Sequence, residues 1–195
     1  MKSVTVVAAA LLLLGAVSCK KENQSAPAPV VSGTFLVNGS ATQGSHNFFS
    51  FSAGGEVPVS DSASTRWDFA MRFEAFLVNS AASGPGNAGV QVLNQPFEAV
   101  TVAPETGYRY DTSSTQRAIR PEDWYVYNAA TRTFSPIAGR TFVFRTATNK
   151  YAKLEILSAD PADDNGNLVV PPTRPTRIKY SIRFAYQPDG TRNFQ

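Results

Sequence analysis

Arg177-Ile178-Lys179-Tyr180-Ser181-Ile182-Arg183-Phe184-Ala185-Tyr186-Gln187 sets large apolar side chains at every second position. A period of two places Ile178, Tyr180, Ile182, Phe184 and Tyr186 on one side of a β-strand and the intervening residues on the other. Working outward, Tyr151 to Ile156 repeats the pattern, with Ala152, Leu154 and Ile156 opposed to Tyr151, Lys153 and Glu155. Arg140 to Arg145 and Trp67 to Phe73 read as two more strands. In the latter, Trp67, Phe69, Met71 and Phe73 form the apolar row, and Asp68, Ala70, Arg72 and Glu74 the opposite one. Asp164-Asn165-Gly166-Asn167 and Pro188-Asp189-Gly190 carry the Gly and Asn that tight turns use for positive φ. Pro171, Pro172 and Pro175 mark an exposed connection into the last strand. No amphipathic helix and no internal repeat stands out. The spacing predicts an all-β fold, a single domain of twisted antiparallel sheets over residues 33–195.

The other end of the chain has a different composition. Met1-Lys2-Ser3 is a short positive start, and Val4 to Val17 is uncharged and apolar apart from Thr5. That run is short for a transmembrane helix, which needs roughly 20 residues, and suits the core of an export signal. Ala16-Val17-Ser18 precede Cys19, the one cysteine of the chain, as a lipobox would. Residues 1–18 are thus expected to be a lipoprotein signal peptide and Cys19 the lipidation site, anchoring the protein to a membrane through acyl chains. An ordinary secretory signal leaving a free thiol is the competing reading. Residues 19–32 then hold the lipidated cysteine and a flexible tether rich in Lys, Glu, Asn, Gln, Ser, Ala and Pro. Lys20, standing where an Asp would favour inner-membrane retention, points to the outer membrane.

Composition excludes several chemistries. One cysteine leaves neither a disulfide framework nor a thiolate metal site. Stability must come from the core, and 13 Phe and 7 Tyr supply it. The net charge of +3 is spread singly along the strands, with no basic run beyond Lys20-Lys21, which argues against nucleic acid. His46 is the sole histidine and opens His46-Asn47-Phe48-Phe49-Ser50-Phe51 with no activating partner nearby in sequence, so no catalytic residue is assigned and the chain is not expected to be an enzyme. Asp160 to Asn167 departs from a calcium loop in lacking its terminal glutamate, and reads as an acidic hairpin tip. Gly84-Pro85-Gly86-Asn87-Ala88-Gly89 has neither the lysine nor the helix of a phosphate loop and reads as a flexible turn. Tyr108, Tyr110, Trp124, Tyr125 and Tyr127 could stack on a ligand while Arg109, Arg117 and Arg120 meet carboxylates; core filling is the simpler use of the aromatics.

Several local patterns, in their order along the chain, resemble the HmuY-like family of haem-binding outer-membrane lipoproteins. They are Phe48-Phe49-Ser50-Phe51 and Trp67-Asp68-Phe69-Ala70-Met71, followed by Leu77-Val78-Asn79-Ser80 and the glycine-rich Ser83 to Gly89. Trp124-Tyr125-Val126-Tyr127, Pro136, Arg140 to Thr146, Asn149 to Ile156 and Ile182 to Gly190 complete the set. The resemblance implies an all-β fold, surface exposure, and capture of haem or a related porphyrin for iron acquisition through a TonB-dependent outer-membrane receptor. It also implies two axial side chains, His or Met, on the iron. Here the stretch from Thr101 to Pro121 contains neither, and the loop after Tyr127 reads Asn128-Ala129-Ala130-Thr131. Phenolate can ligate ferric haem, which leaves Tyr108, Tyr110, Tyr125 and Tyr127 as the haem-binding candidates. Met71 falls in the core row of its strand. A module of the same fold without haem binding, acting as an outer-membrane interaction or accessory protein, is the alternative.

Overall fold

The structure is a computed structural model that describes residues 27–131, 133–170 and 173–195. The expected signal peptide and Cys19 lie outside the described residues. Among the described residues eleven strands follow in order: β1 (Val30–Asn38), β2 (Asn47–Ser50), β3 (Gly55–Val57), β4 (Phe69–Arg72), β5 (Ala75–Val78), β6 (Gly89–Leu93), β7 (Tyr125–Asn128), β8 (Thr133–Pro136), β9 (Thr141–Arg145), β10 (Tyr151–Ala162) and β11 (Arg177–Gln187). An α-helical turn, α1 (Pro121–Trp124), the one α-helix among the described residues, directly precedes β7. Strand pairing is antiparallel throughout, in a five-stranded sheet β1-β11-β10-β9-β6, a four-stranded sheet β3-β2-β4-β5 and the β7–β8 hairpin. β1 begins at Val30 opposite Ala185, so strand structure extends into residues 30–32, which the sequence reading placed in the tether.

The two larger sheets face each other across one aromatic core. Phe51 and Phe69 from the four-stranded side meet Phe144 at ring separations of 5.0 and 5.6 Å, and Phe51 meets Phe184 at 5.5 Å. Met71 is fully buried in this core, as its strand phase predicts. Ile178, Tyr180, Ile182 and Phe184 are buried, as the alternation requires. β10 runs well past the expected end at Ile156. Its register slips between Ile156 and Ser158, a bulge that leaves Leu157 47% exposed.

Four expectations need correction. The outer face of the five-stranded sheet is not left to solvent, because Phe97, Val100, Ala103 and Phe194 pack on Val143 and Ala185 there. Lys153, assigned to the polar row, is therefore buried; its Nζ donates to the carbonyls of Phe97 and Val100 at 2.8 Å each and lies 4.3 Å from the Phe97 ring. Trp67 does not share the face of Phe69 and Met71. The strand starts only at Phe69, and Trp67 sits with Phe48 and Ala70 in a separate cluster, edge-on to Phe48. Asp68, expected at the surface, turns inward and accepts hydrogen bonds from the backbone N–H groups of Phe51 and Ala147. Finally, the glycine-rich turn is held tightly. Asn79 is buried, accepts from Gly86 N at 2.9 Å, and donates to the carbonyls of Ser64 and Trp67.

Candidate functional site

The four candidate tyrosines occupy two different places. Tyr108 and Tyr110 flank Arg109, which bridges to Val90 of β6, so this segment lies along the β6 edge of the larger sheet. Gly89 permits the approach, since a Cβ there would come within 2.8 Å of the Tyr110 ring and 3.0 Å of Tyr108 Cβ. Arg145 of β9 reaches over both rings, 5.8 and 5.5 Å from their centroids, and donates to the Tyr110 hydroxyl oxygen at 2.6 Å. Tyr108 donates its own hydroxyl to Pro104 O, and burial holds that phenol well above its ordinary range. Tyr125 and Tyr127, two apart on β7, line a cavity at the end of the sandwich with Phe73 and Phe134. Burial, with Glu74 and Glu122 nearby, raises the Tyr125 phenol, whereas Tyr127 is 55% exposed. Trp124, offered as a stacking residue, is buried in the core against Phe76 and Tyr180.

The arginines expected to meet carboxylates do converge. A groove of about 540 Å³ is lined by Arg109, Tyr110, Thr112, Gln116, Arg117 and Arg120 among others. Each guanidinium has an acidic neighbour, held to very different degrees. Arg109 chelates Asp123 at 2.8 and 3.4 Å. Arg117 donates to Ser83 Oγ at 2.5 Å and reaches Asp111 at 3.4 Å. Arg120 meets Glu122 only at 3.9 Å, with side chains 59% and 69% exposed. An exposed pair of that kind contributes little, so Arg120 can turn to a ligand at small cost.

Asp111 builds this groove, and nothing in the sequence singles it out. It is fully buried and accepts from Val78 N of β5 at 2.9 Å, Ala118 N at 2.7 Å and Ser83 Oγ at 2.6 Å. One carboxylate thus ties the loop carrying the arginines to the edge of the four-stranded sheet. In sequence it heads Asp111-Thr112-Ser113-Ser114-Thr115-Gln116, a polar run that reads as surface. Arg145 is equally inconspicuous, at the end of a strand whose pattern is carried by Phe142, Val143 and Phe144.

The remaining candidates resolve plainly. His46 is half-buried, and burial first, then Arg72 and Arg117, push its imidazole down to about 4 against an opposing pull from Asp111. Asn128 spends its side-chain oxygen on Ala130 N and Thr131 N in the β7–β8 turn. In the acidic tip, Asp163 accepts from Asn165 N, Asn167 N and Asn167 Nδ2, while Asp164 pairs with Arg177 at 3.0 Å. Among the described residues no group of three or more His, Cys, Asp or Glu is placed to hold a metal ion.

Fold and site together define an antiparallel two-sheet β domain with an arginine-lined groove beside one sheet edge and an aromatic cavity at one end. Solved structures similar to it include the following two. A protein from Bacteroides vulgatus ATCC 8482, described as HmuY-like and heme binding, is 16% identical with a TM-score of 0.44, over 80% of this chain and 91% of that one. A protein from Bacteroides fragilis NCTC 9343, described as a lipoprotein, is 13% identical with a TM-score of 0.43, over 77% and 89%. No protein-family model and no curated protein matches the chain.

Proposed function

We propose that this domain binds haem or a related porphyrin in the arginine groove, as a lipid-anchored outer-membrane protein serving uptake. The observation that carries the reading is the meeting of Tyr110 with Arg109, Arg117 and Arg120 in one groove. The donor set suits a porphyrin dicarboxylate. Guanidinium forks match carboxylates, and Arg120 is held by little else. Tyr110 offers the phenol oxygen to ferric iron, an established haem ligand type. Arg145, donating to that oxygen, fixes the ring as an outer-shell partner does. Haem would supply the iron and the coloured, redox-active ring; the chain supplies charge, a phenol and its orientation. Tyr108 is set aside because its hydroxyl is spent on Pro104 O. Tyr125 and Tyr127 belong to the other cavity.

The polar walls of the groove, Thr112, Thr115 and Gln116, favour a second reading. In it the arginines dock an acidic segment of a partner such as a TonB-dependent receptor, with no haem involved. A haemin titration of the full chain in maltoside detergent, followed by visible absorption against a detergent blank, separates the two. A saturable one-to-one Soret shift that is lost in Tyr110→Phe, weakened in Arg120→Ala and kept in Tyr127→Phe supports haem binding. A spectrum matching haemin with a non-binding control protein removes it, and co-purification with an outer-membrane receptor then tests the second reading.

A further inference from the structure

Away from the groove, the cavity at the sandwich end has a chemistry of its own. Its volume is about 430 Å³, within the roughly 300–1,000 Å³ range of small-molecule sites. The walls are rings set at angles to one another. Phe73 and Phe134 are perpendicular at 6.0 Å, and Tyr125 meets Phe134 at 5.5 Å and 55°. Among these rings stands Glu74. Its side chain is half-buried, and its Oε2 is shielded from solvent with no hydrogen-bond partner. Burial raises its carboxyl pKa above the ordinary value, with its own backbone N–H and Arg72 pulling the other way.

The turn that presents Glu74 is held in place from three sides. Phe73 has φ +51°, an unusual conformation for a bulky non-glycine residue. Its N–H donates to Asn38 O at 2.6 Å and its carbonyl accepts from Tyr180 OH at 2.7 Å. Trp124 Nε1 donates to Glu74 O at 3.2 Å. Strands β1 and β11 and helix α1 therefore all fix a strained two-residue turn. Such strain persists where surroundings over-determine it, and it clusters at ligand sites. A shielded carboxylate oxygen without a donor is costly, and the charge of a bound cation would relieve the cost.

From this geometry we infer that the Phe73–Glu74–Tyr125–Tyr127–Phe134 cavity binds a small organic cation, an alkylated ammonium with an apolar body, independently of any porphyrin in the groove. Ring faces attract such a cation and Glu74 supplies the opposite charge. The apolar remainder of the ligand packs on Pro161, Pro175 and Ile178. Arg174 also lines the cavity and, among the described residues, has no ion pair with Glu74. It is the chain's own competitor for the site.

The probe is benzyltrimethylammonium, set against its uncharged isostere neopentylbenzene. Binding is read by isothermal titration of the full chain in maltoside detergent, which itself carries no ammonium. Expected is saturable one-to-one binding of the cation, with the neutral isostere weaker by at least about tenfold. Glu74→Gln keeps the shape and removes the charge, and should cost a similar factor while leaving the melting temperature unchanged or higher. Tyr110→Phe should leave cation binding intact, keeping this result separate from the haem titration. Equal affinity for the two probes, no change in Glu74→Gln, or no saturable binding by a folded protein overturns the inference. So does binding that appears only in Arg174→Ala, since the cage would then be filled by its own arginine.

Discussion

Asp111→Asn is the substitution that puts the groove's construction most directly at risk. The two carboxylate oxygens serve different donors, Oδ1 taking Ala118 N and Oδ2 taking Val78 N and Ser83 Oγ. An amide can present only one oxygen. Whichever way it flips, an NH2 group faces a buried N–H. Stranding one buried backbone donor costs about 1–3 kcal/mol, and the donor–donor clash pushes toward the upper end. Losing the buried charge lowers the desolvation cost but forfeits the 3.4 Å ion pair with Arg117, leaving a net loss of about 2 kcal/mol. Asp111→Ala strands both backbone donors and should lose about 3 kcal/mol by the same reckoning. For a domain of this size each kcal/mol moves the midpoint by roughly 2–4 °C, so about 4–8 °C and 6–12 °C are expected for the two variants. Thermal unfolding followed by far-ultraviolet circular dichroism measures both. The same variants should lose haemin binding even below their midpoints, because the arginine loop is no longer tied to β5. An Asp111→Asn protein within about 1 kcal/mol of wild type would refute the reasoning, since no placement of an amide satisfies both buried backbone donors.

Gly84→Ala tests the packing of the glycine-rich loop. A Cβ there would overlap Asn79 Oδ1 and approach Trp67 Cζ2 to 2.6 Å, and Asn79 is pinned by its own hydrogen bonds. Overpacking of this kind costs about 1–3 kcal/mol in urea unfolding, and a neutral result would mean the loop gives way freely. Asp68 and His46 make opposed predictions for pH. Burial raises Asp68 to about 6 from an ordinary 3.8, against its two backbone N–H bonds, so the folded state holds the extra proton and stability falls as pH rises across that interval. His46 is pushed down to about 4 from 6.5, so the unfolded chain holds the extra proton and stability rises with pH over that window. Relative to wild type, Asp68→Asn should tilt stability upward with pH between about 4 and 6, and His46→Gln downward. Urea midpoints at three pH values decide it; parallel curves for all three proteins would contradict both assignments.

The core was readable because its signal is local. Alternation from Ile178 to Phe184 and from Ala152 to Ile156 needs only the pleat of a strand, and these residues are buried as their phase requires. What covers the opposite face of the same strands is decided far away in sequence. Lys153, Ala185 and Gln187 are buried because residues 97–103 and Phe194 fold across them. Trp67 misled because the alternation continues in sequence through Asp68 while the strand does not. The tyrosines were found as residues but not as a site. Their separation follows from the path of residues 104–120 along β6, a path set by Gly89 and the Asp111 clamp. Asp68, Glu74 and Asp111 were invisible for a common reason: a carboxylate reads as surface until its backbone donors are known.

The pairing of β1 with β11 also governs how the chain reaches this fold. Val30 lies opposite Ala185 and Asn38 opposite Arg177, so the first strand finds its neighbour only in the last. Contacts of such long sequence separation are the slow ones, because a large loop must close before they give any return. β11 also carries β10 on its other side, so it stands between the first strand and the rest of its sheet. A nascent chain lacking β11 would hold β2–β5 as a local four-stranded sheet and leave Val30–Asn38 unpaired. Completion of the sheet is thus timed by the arrival of β11, the one strand that joins β1 to the rest of its sheet.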